Sequence, residues 1–313
     1  MWAMVLKRFL RGILTVAIVI VLIFFVMRVA PSDPASLMAG PEASEEQIES
    51  IREAWGLNKP LLEQFGIYIR SLLTGDAGMS FQYVSNAKPM WSVTDLVIAR
   101  FPNTVKLAVA AMLFCVVVGI PVGIFCGMYK GSWMDNLIMG SSFTLLSFPT
   151  VFIGILLINL FAVKLQLLPP GGNDSWECII LPAIATGLHF LITLIRTTRS
   201  EIIQIMKSDY IKTVRAKGLS NQAVLFVHCL RNAAIPLVTL IGQRFGTMLG
   251  GAVVTEALFR WPGIGNLLIT SVQARDYPTV QFLVPYVAVV FIVINVIVDI
   301  LYGVLDPRIR RER

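Results

Sequence analysis

The sequence predicts an all-α, polytopic membrane protein with six transmembrane helices. Of its 313 residues, 56% are hydrophobic and only 14% are charged, and the mean hydropathy of +0.74 lies outside the range of water-soluble domains. Lipid offers no partner for backbone polar groups, so each spanning segment must be a helix of roughly 20 mostly apolar residues. Six runs of the sequence meet this requirement.

The first run, residues 12–27, holds 16 uncharged residues between Arg11 and Arg28. A secretory signal peptide is the alternative for this run, because a basic start and an apolar stretch are typical of both. A spanning helix is favoured, since the run ends at Arg28 and no small-x-small cleavage site follows it directly. The other five predicted spans are residues 107–129, 136–163, 178–195, about 235–258 and about 277–305.

The basic residues in the short flanks predict which side each loop occupies. Residues 196–231 carry seven Lys or Arg against two acids, whereas residues 31–100 carry nine acids and five bases. Positive charge resists translocation, so the first segment should be cytoplasmic and the second outside. An even number of spans puts both termini on one side, and the basic residues near both termini predict that this side is the cytoplasm. Those residues are Lys7, Arg8, Arg11, Arg308, Arg310, Arg311 and Arg313.

The long outer segment between the first two spans predicts a small helical insertion. Ser44 precedes Gln47 by three residues, which is typical of a capping box at a helix start. Gly56 and Pro60 should end that helix, and a second short helix is predicted over residues 61–73. We favour a cap packed on the membrane surface over direct contact with a substrate.

Several classes of chemistry find no support in the sequence. It has no GxxxxGK[ST] loop and no HExxH, and PGIG at residues 262–265 lacks the third glycine of a dinucleotide site. The four cysteines include no CxxC pair, and two histidines are too few for a histidine-built metal site. We therefore expect no enzymatic active site and no bound cofactor or metal, and the remaining role is transport or a structural part of a transporter.

The basic loop, residues 196–231, is patterned for contact with a partner. Residues 200–217 contain neither Gly nor Pro, and Gly218 is a natural helix terminator. Ser220 then predicts the cap of a second helix that continues toward Pro236. A short helix held by a glycine turn at the inner face could lie in a groove of a cytosolic partner and pass motion to the spans.

The same loop carries a family resemblance. Its RAKG (Arg215 to Gly218), HCLRNA (His228 to Ala233) and Pro236 resemble the cytoplasmic loop of ATP-binding-cassette (ABC) importer permeases of the dipeptide and oligopeptide type. The resemblance extends in order over nearly the whole chain through APSDP (30–34), GDAGMSF (75–81), FRWPGIGNLL (259–268), RDYPTVQ (275–281) and VDILYGVLDPRIR (298–310). The chain departs from the general importer pattern at residues 212–214 and 228–231, and the resemblance still implies ATPase docking as the role of the loop.

The resemblance implies a type I ABC importer permease fold and a set of partners. These are a second homologous permease subunit in a heterodimer, two cytosolic ATPase subunits that bind ATP and Mg, and an extracytoplasmic substrate-binding protein. It also implies a bacterial inner-membrane location. The predicted organisation is an N-terminal transmembrane helix over residues 1–30, a helical extracytoplasmic insertion over 31–103, and a five-helix permease core over 104–313. That core contains a cytoplasmic coupling loop at about 199–234.

Two groups of residues are candidate functional sites. On the resemblance, the surface that couples to the ATPase is Asp209, Tyr210, Arg215, Ala216, Lys217 and Gly218; the alternative is that their charges merely face water and lipid headgroups. Arg244 lies inside the fifth span, where a charge normally faces protein or water, so Arg244 and Gln243 are candidates for the translocation path. A structural ion pair is the alternative for Arg244. Asn295 of the sixth span is the third path candidate.

The substrate is predicted to be a short peptide, such as a di- or oligopeptide or a glutathione-like molecule. The same family carries nickel and metal chelates, which remain the alternative. A cavity arginine favours a carboxylate and opposes a bare divalent cation, although an anionic chelate escapes that objection. Asn295 and Asp299, one turn apart, allow a rival from another class, an ion-coupled secondary transporter.

Overall fold

The computed structural model describes residues 2–29, 34–39, 43–80 and 91–305, and these form helices joined by short turns. Within those ranges no sheet is present, and one isolated antiparallel bridge joins Met79 to Ser92. The predicted all-α class is confirmed. The helices are α1 (Trp2–Val29), α2 (Pro34–Ala39), α3 (Glu45–Ala54), α4 (Leu61–Thr74), α5 (Val93–Met128), α6 (Trp133–Leu146), α7 (Thr150–Leu157), α8 (Ile180–Lys207), α9 (Asp209–Ala216), α10 (Asn221–Ala223), α11 (Leu230–Gly251), α12 (Val253–Leu258), α13 (Ile264–Gln273) and α14 (Tyr277–Leu305). A π-helical segment, Ile158–Lys164, extends α7, a 3₁₀ turn, Trp176–Ile179, leads into α8, and a second π-helical segment, Val224–Cys229, joins α10 to α11.

Five helical stretches of the described chain are long and apolar enough to cross a membrane. They are Phe9–Arg28, Val93–Met128, Trp176–Lys207, Val224–Gly250 and Tyr277–Ile297. These correspond to the first, second, fourth, fifth and sixth predicted spans. The fifth was placed too late in the sequence, because its helical stretch begins at Val224 and α11 ends at Gly251, so that α12 is a separate helix.

The third predicted span, residues 136–163, was wrong as a single straight helix. The chain bends by 110° between α6 and the helical stretch Thr150–Lys164. The described chain has six membrane spans only if these two parts together form one broken span. Pro149 precedes α7 and has no N–H to continue the ladder of α6. His189 of α8 lies at the bend, with Nε2 3.1 Å from the Phe148 carbonyl and Nδ1 3.4 Å from the Thr150 hydroxyl.

The predicted helical insertion follows α1. Ser44 and Gln47 form the expected capping box at the start of α3, with each side chain bonded to the other residue's backbone N–H. Gly56, in the left-handed region at φ +62°, follows the end of α3, and α4 begins one residue after Pro60. Both expectations are confirmed. Burial raises the pKa of the Tyr68 phenol in α4, so its hydroxyl stays protonated and donates to the Gln281 carbonyl at 2.8 Å.

The described chain divides into two compact units, and α5 and α14 contribute to both. One unit comprises residues 2–104 and 262–293. Its core joins the start of α5 to α13 and α14 through Val93, Leu96, Val97, Ile264, Leu267 and Leu283. Two polar contacts fasten the same junction: the Asn103 side chain donates to the Pro262 carbonyl at 3.0 Å, and the Ile264 N–H donates to the Thr104 hydroxyl at 2.9 Å.

The other unit comprises residues 105–261 together with the chain from 294 onward, and its centre is a close packing of α5 on α8. Gly119, Gly123 and Gly127 recur every four residues on one face of α5. A Cβ at Gly123 would lie 2.5 Å from Thr198 Cβ and 2.8 Å from the Ile195 carbonyl oxygen, and one at Gly127 would lie 2.8 Å from Ile202 Cβ. Small residues at this spacing let two membrane helices approach closely. The three glycines therefore form a seam against α8, which the sequence analysis did not identify.

Candidate functional site

The candidate coupling residues lie on α9, a short helix set off from α8 by one residue, and on the two residues that follow it, Lys217 and Gly218. Ser208 is extended, with φ −69° and ψ 149°, and its hydroxyl donates to the Ile205 carbonyl at 2.7 Å. The predicted continuous helix over residues 200–217 was therefore wrong, because a serine hydroxyl that bonds the preceding turn competes with helix continuation. Neither Gly nor Pro marks this break in the sequence.

Two apolar side chains anchor α9 to the rest of its unit. Ile211 is 0% exposed and Val214 is 7% exposed, and their spacing of three residues puts both on one face. They pack into a buried cluster that includes Ile202 of α8 and Val224, Leu225 and Cys229 of the π-helical segment. Burial of this pair fixes which face of α9 remains open.

The open face carries all six candidate coupling residues. Asp209, Tyr210, Arg215, Ala216, Lys217 and Gly218 are each exposed. Lys212 forms an ion pair with Asp209 at 2.7 Å, but the two side chains are 72% and 94% exposed, so the pair adds little stability. The surface is basic overall and available to a partner in this protomer.

Tyr210 is held by a residue that the sequence analysis did not select. Its hydroxyl lies 2.6 Å from Nδ1 of His228, and the two rings pack edge to face with centroids 5.7 Å apart. The contact fastens the first turn of α9 to the π-helical segment before α11. No periodic pattern links positions 18 residues apart, so only the tertiary structure identifies this pair.

A glycine turn ends α9. Gly218 has φ +82°, a left-handed conformation that side chains with a Cβ adopt only with strain, and its N–H donates to the Arg215 carbonyl at 2.9 Å. Ser220 then accepts from the Ala223 N–H at 3.3 Å, which confirms the predicted cap. The helical stretch that follows reaches Pro236 and continues through it within α11. Helices in membranes tolerate an internal proline because neighbouring groups satisfy the freed carbonyl.

The three candidate path residues lie on two helices, Gln243 and Arg244 on α11 and Asn295 on α14. Gln243 and Arg244 are exposed, and the Arg244 guanidinium has no ion-pair or hydrogen-bond partner among the described residues. Asn295 is half-buried, and a Cβ at Gly246 would lie 2.7 Å from its Oδ1. Gln243 is three residues before Gly246 and so shares that face of α11, whereas Arg244 lies on the opposite face. The side chain of Asp299, named with Asn295 in the ion-coupled alternative, lies outside the described residues.

Comparison with solved structures identifies the fold. The chain is similar to the structure titled "Inward facing conformations of the MetNI methionine ABC transporter: CY5 native crystal form", with a TM-score of 0.56 and 14% identity. The match covers 71% of this chain and 100% of that one. The fold is that of a type I ABC importer permease.

Comparison of sequences covers almost the whole chain. Residues 119–311 match the family model described as "Binding-protein-dependent transport system inner membrane component", and residues 1–108 match the corresponding N-terminal model. The glutathione transport system permease protein GsiC of Escherichia coli (strain K12) is 41% identical over 306 residues, 98% of each chain. GsiC of Shigella flexneri serotype 5b (strain 8401) matches to the same extent. The chain therefore belongs to the family of binding-protein-dependent transport system inner membrane components, as a multi-pass transport subunit and not an enzyme.

Proposed function

We propose that the chain is one of two permease subunits in an ATP-driven importer that carries short peptides into the bacterial cell. A second homologous permease completes the path, two cytosolic subunits bind ATP and Mg, and an external binding protein delivers the substrate. Both termini and α9 lie on the cytoplasmic side, in accord with the basic flanks and loop. The chain itself binds no nucleotide or metal. Membership of this family excludes the alternative of an ion-coupled carrier, because such a carrier needs no ATPase.

The exposed face of α9 is the observation that carries this proposal. It offers a short helix, anchored by Ile211 and Val214 on one side and bounded by Ser208 and Gly218. A partner groove that receives such a helix would move it as one body, and only Ser208 separates it from the 28 residues of α8. ATP binding by the partners would thereby reach the membrane helices through α9.

A short peptide is the cargo that these relatives and Arg244 favour. The relatives at 41% identity are named for glutathione, a small molecule with peptide bonds and carboxylates. The exposed guanidinium of Arg244 is suited to bind a carboxylate and would repel a bare divalent cation. Within the described residues, moreover, no three His, Cys, Asp or Glu side chains cluster as a metal would require.

The test is the ATPase activity of the purified complex with its own binding protein. We would compare di- and tripeptides, glutathione, free nickel and nickel chelates as additions. Stimulation by peptides or glutathione is the expected result. Stimulation by metal species alone would contradict the cargo, and a complex that lacks any ATPase subunit after mild purification would contradict the mechanism.

A further inference from the structure

A cavity of about 470 Å³ lies in the unit that contains the helical insertion. Its walls come from the end of α1, from Trp55 just after α3, from α4, from the turn after α4 and from the start of α14. They include Arg28, Gln64, Asp76, Gln281 and Phe282. Sites for small ligands fall within roughly 300–1,000 Å³. The cavity is thus large enough for a ligand, and none of its residues belongs to the sites described above.

Three buried polar atoms in these walls have no hydrogen-bond partner among the described residues. They are Nε of Arg28, Oε1 of Gln64 and Nε2 of Gln281. Gln64 is 7% exposed and Gln281 is 4% exposed, so each amide is more than nine-tenths buried. An unpaired buried polar atom costs roughly 1–3 kcal/mol, and native proteins tolerate few of them. All three belong to residues that line this one cavity, which makes it the candidate place for a group that would complete them.

The orientation of the Gln64 amide is fixed by its other end. Nε2 donates to two backbone carbonyls, those of Leu57 at 3.0 Å and Lys59 at 2.8 Å. Carbonyls only accept, so the nitrogen must face them and Oε1 must be the unpaired end. Gln64 therefore offers an acceptor to a ligand, whereas Arg28 and Gln281 offer donors.

The cavity also has a charge of each sign. Arg28 lies above the ring of Phe24, with Cζ 5.5 Å from the ring centroid, and is half-buried. Asp76 is exposed, and its Oδ1 accepts only a long bond of 3.4 Å from the Gly78 N–H. Neither residue forms an ion pair with another described residue. A ligand that carries both a carboxylate and an ammonium would satisfy both.

We propose that this cavity binds a short zwitterionic peptide, an inference that rests on the proposed function for its cargo class. The peptide carboxylate binds Arg28 and the Gln281 amide, a peptide N–H donates to Gln64, and the terminal ammonium binds Asp76. Trp55 and Phe282 provide apolar walls for peptide side chains. A guanidinium alone would equally suit a lipid phosphate, and the hydroxyls or the ammonium of a lipid headgroup could pair with Gln64 and Asp76, so the experiment must separate a peptide from a lipid.

The experiment is calorimetric binding of trialanine to the whole complex, purified without its binding protein. N-acetyl-trialanine and trialanine amide, each lacking one terminal charge, are measured beside it. We expect Arg28→Gln to lower the affinity for trialanine at least about tenfold. The affinity for trialanine amide should stay unchanged, because the amide has no carboxylate to bind Arg28. Asp76→Asn should weaken trialanine and leave the N-acetyl peptide unchanged. Arg70→Gln, an exposed arginine of α4 outside the cavity, is the matched control.

Each outcome decides the inference. Equal affinities of the variants and the wild type for trialanine would mean that water fills the cavity, and would overturn it. Asp76→Asn carries the test if Arg28→Gln fails to assemble, because Asp76 is exposed and Asn keeps the acceptor for Gly78. Affinity that follows the phosphatidylglycerol content of nanodiscs and ignores the peptide termini would assign the cavity to lipid and overturn the inference as well.

Failure of the proposed function has a different signature. If trialanine binds with the predicted dependence on Arg28 and Asp76 but no peptide stimulates the ATPase, the cavity stands and the proposed cargo fails. If peptides stimulate the ATPase while the cavity variants bind like wild type, the cargo stands and the inference about the cavity fails.

Discussion

Arg199 of α8 holds Asp135 of α6 through two parallel hydrogen bonds, Nε to Oδ1 at 2.6 Å and Nη2 to Oδ2 at 2.7 Å. The Asp135 side chain is fully buried, and its Oδ2 also accepts from the Gly131 N–H at 2.8 Å. One carboxylate thus joins the turn after α5, the start of α6 and the last third of α8. A paired, bidentate geometry of this kind is the strong form of an ion pair.

We predict that Asp135→Asn lowers the thermal unfolding midpoint of the purified complex, because Arg199 loses its counter-charge at a cost of about 3–5 kcal/mol. The double variant Asp135→Asn with Arg199→Gln should lose less than the sum of the two single losses, since the second change removes the unpaired charge. Strictly additive losses would contradict a direct pairing.

Gly218→Val should reduce substrate-stimulated ATP hydrolysis more than it reduces the amount of complex recovered. Its backbone is at φ +82° and a Cβ there meets nothing within 4 Å, so the cost of about 1–3 kcal/mol comes from the turn alone. Gly218→Asn is the control, because asparagine enters the left-handed region more readily. Equal losses of hydrolysis and recovery would mean simple misfolding.

Tyr210→Phe should loosen α9 while it leaves the fold intact. The change removes the hydroxyl bonded to His228 and keeps the ring contact, so we expect a loss of about 1 kcal/mol. Hydrogen–deuterium exchange of residues 209–216 should become faster, with α5 unchanged as the internal reference. The idea fails if exchange in α9 is the same in both proteins.

Gly123→Ala should strongly reduce the recovery of folded protein. The added methyl would lie 2.8 Å from the Ile195 carbonyl oxygen and 2.5 Å from Thr198 Cβ, and a backbone atom cannot rotate away. Gly140→Ala in α6 is a matched control, because a Cβ at that exposed glycine meets nothing within 4 Å. Size-exclusion profiles in detergent would distinguish the Gly123→Ala variant from the Gly140→Ala variant. Identical profiles would show that α5 and α8 can move apart enough to hold the added methyl group.

Arg244→Gln should weaken the response to peptides with a free carboxylate and spare assembly. The guanidinium has no partner among the described residues, so little folding energy is at stake, whereas a carboxylate on the path would lose its counter-charge. The peptide concentration for half-maximal ATPase stimulation should rise about tenfold or more for the free acid and stay unchanged for the amide. A parallel shift for both would assign Arg244 a structural role.

The sequence predicts those features that depend on neighbours along the chain. The Ser44–Gln47 capping box and the Ser220 cap are local, and α14 begins and ends as its apolar run suggested. The bend before Pro149 was not predicted, because the hydropathy of a run of residues does not show whether its helix is straight or bent. Proline at that position was the available signal.

Features that depend on tertiary contacts could not be predicted in this way. At the break, the Ser208 hydroxyl donates to a backbone carbonyl of the preceding turn. Serines form this hydrogen bond in many helices that continue unbroken, so the residue type alone does not predict a break. Asp135 and Arg199 are 64 residues apart, and Tyr210 and His228 are 18 apart, so neither pair leaves a periodic signal. The glycines at 119, 123 and 127 are the exception, because their four-residue spacing is a periodic signal in the sequence. Close packing of α5 on α8 explains that spacing.

The close seam between α5 and α8 has a mechanical consequence. Because the glycines at 123 and 127 leave no slack between the two helices, and Arg199 fastens α8 to Asp135 eight residues before it ends, α8 behaves as a stiff rod clamped along much of its length. A load applied at α9 cannot be absorbed by sliding at that seam. Ser208 is the one residue between α8 and α9 along the chain, so we expect its backbone to set how far α9 can turn without moving α8.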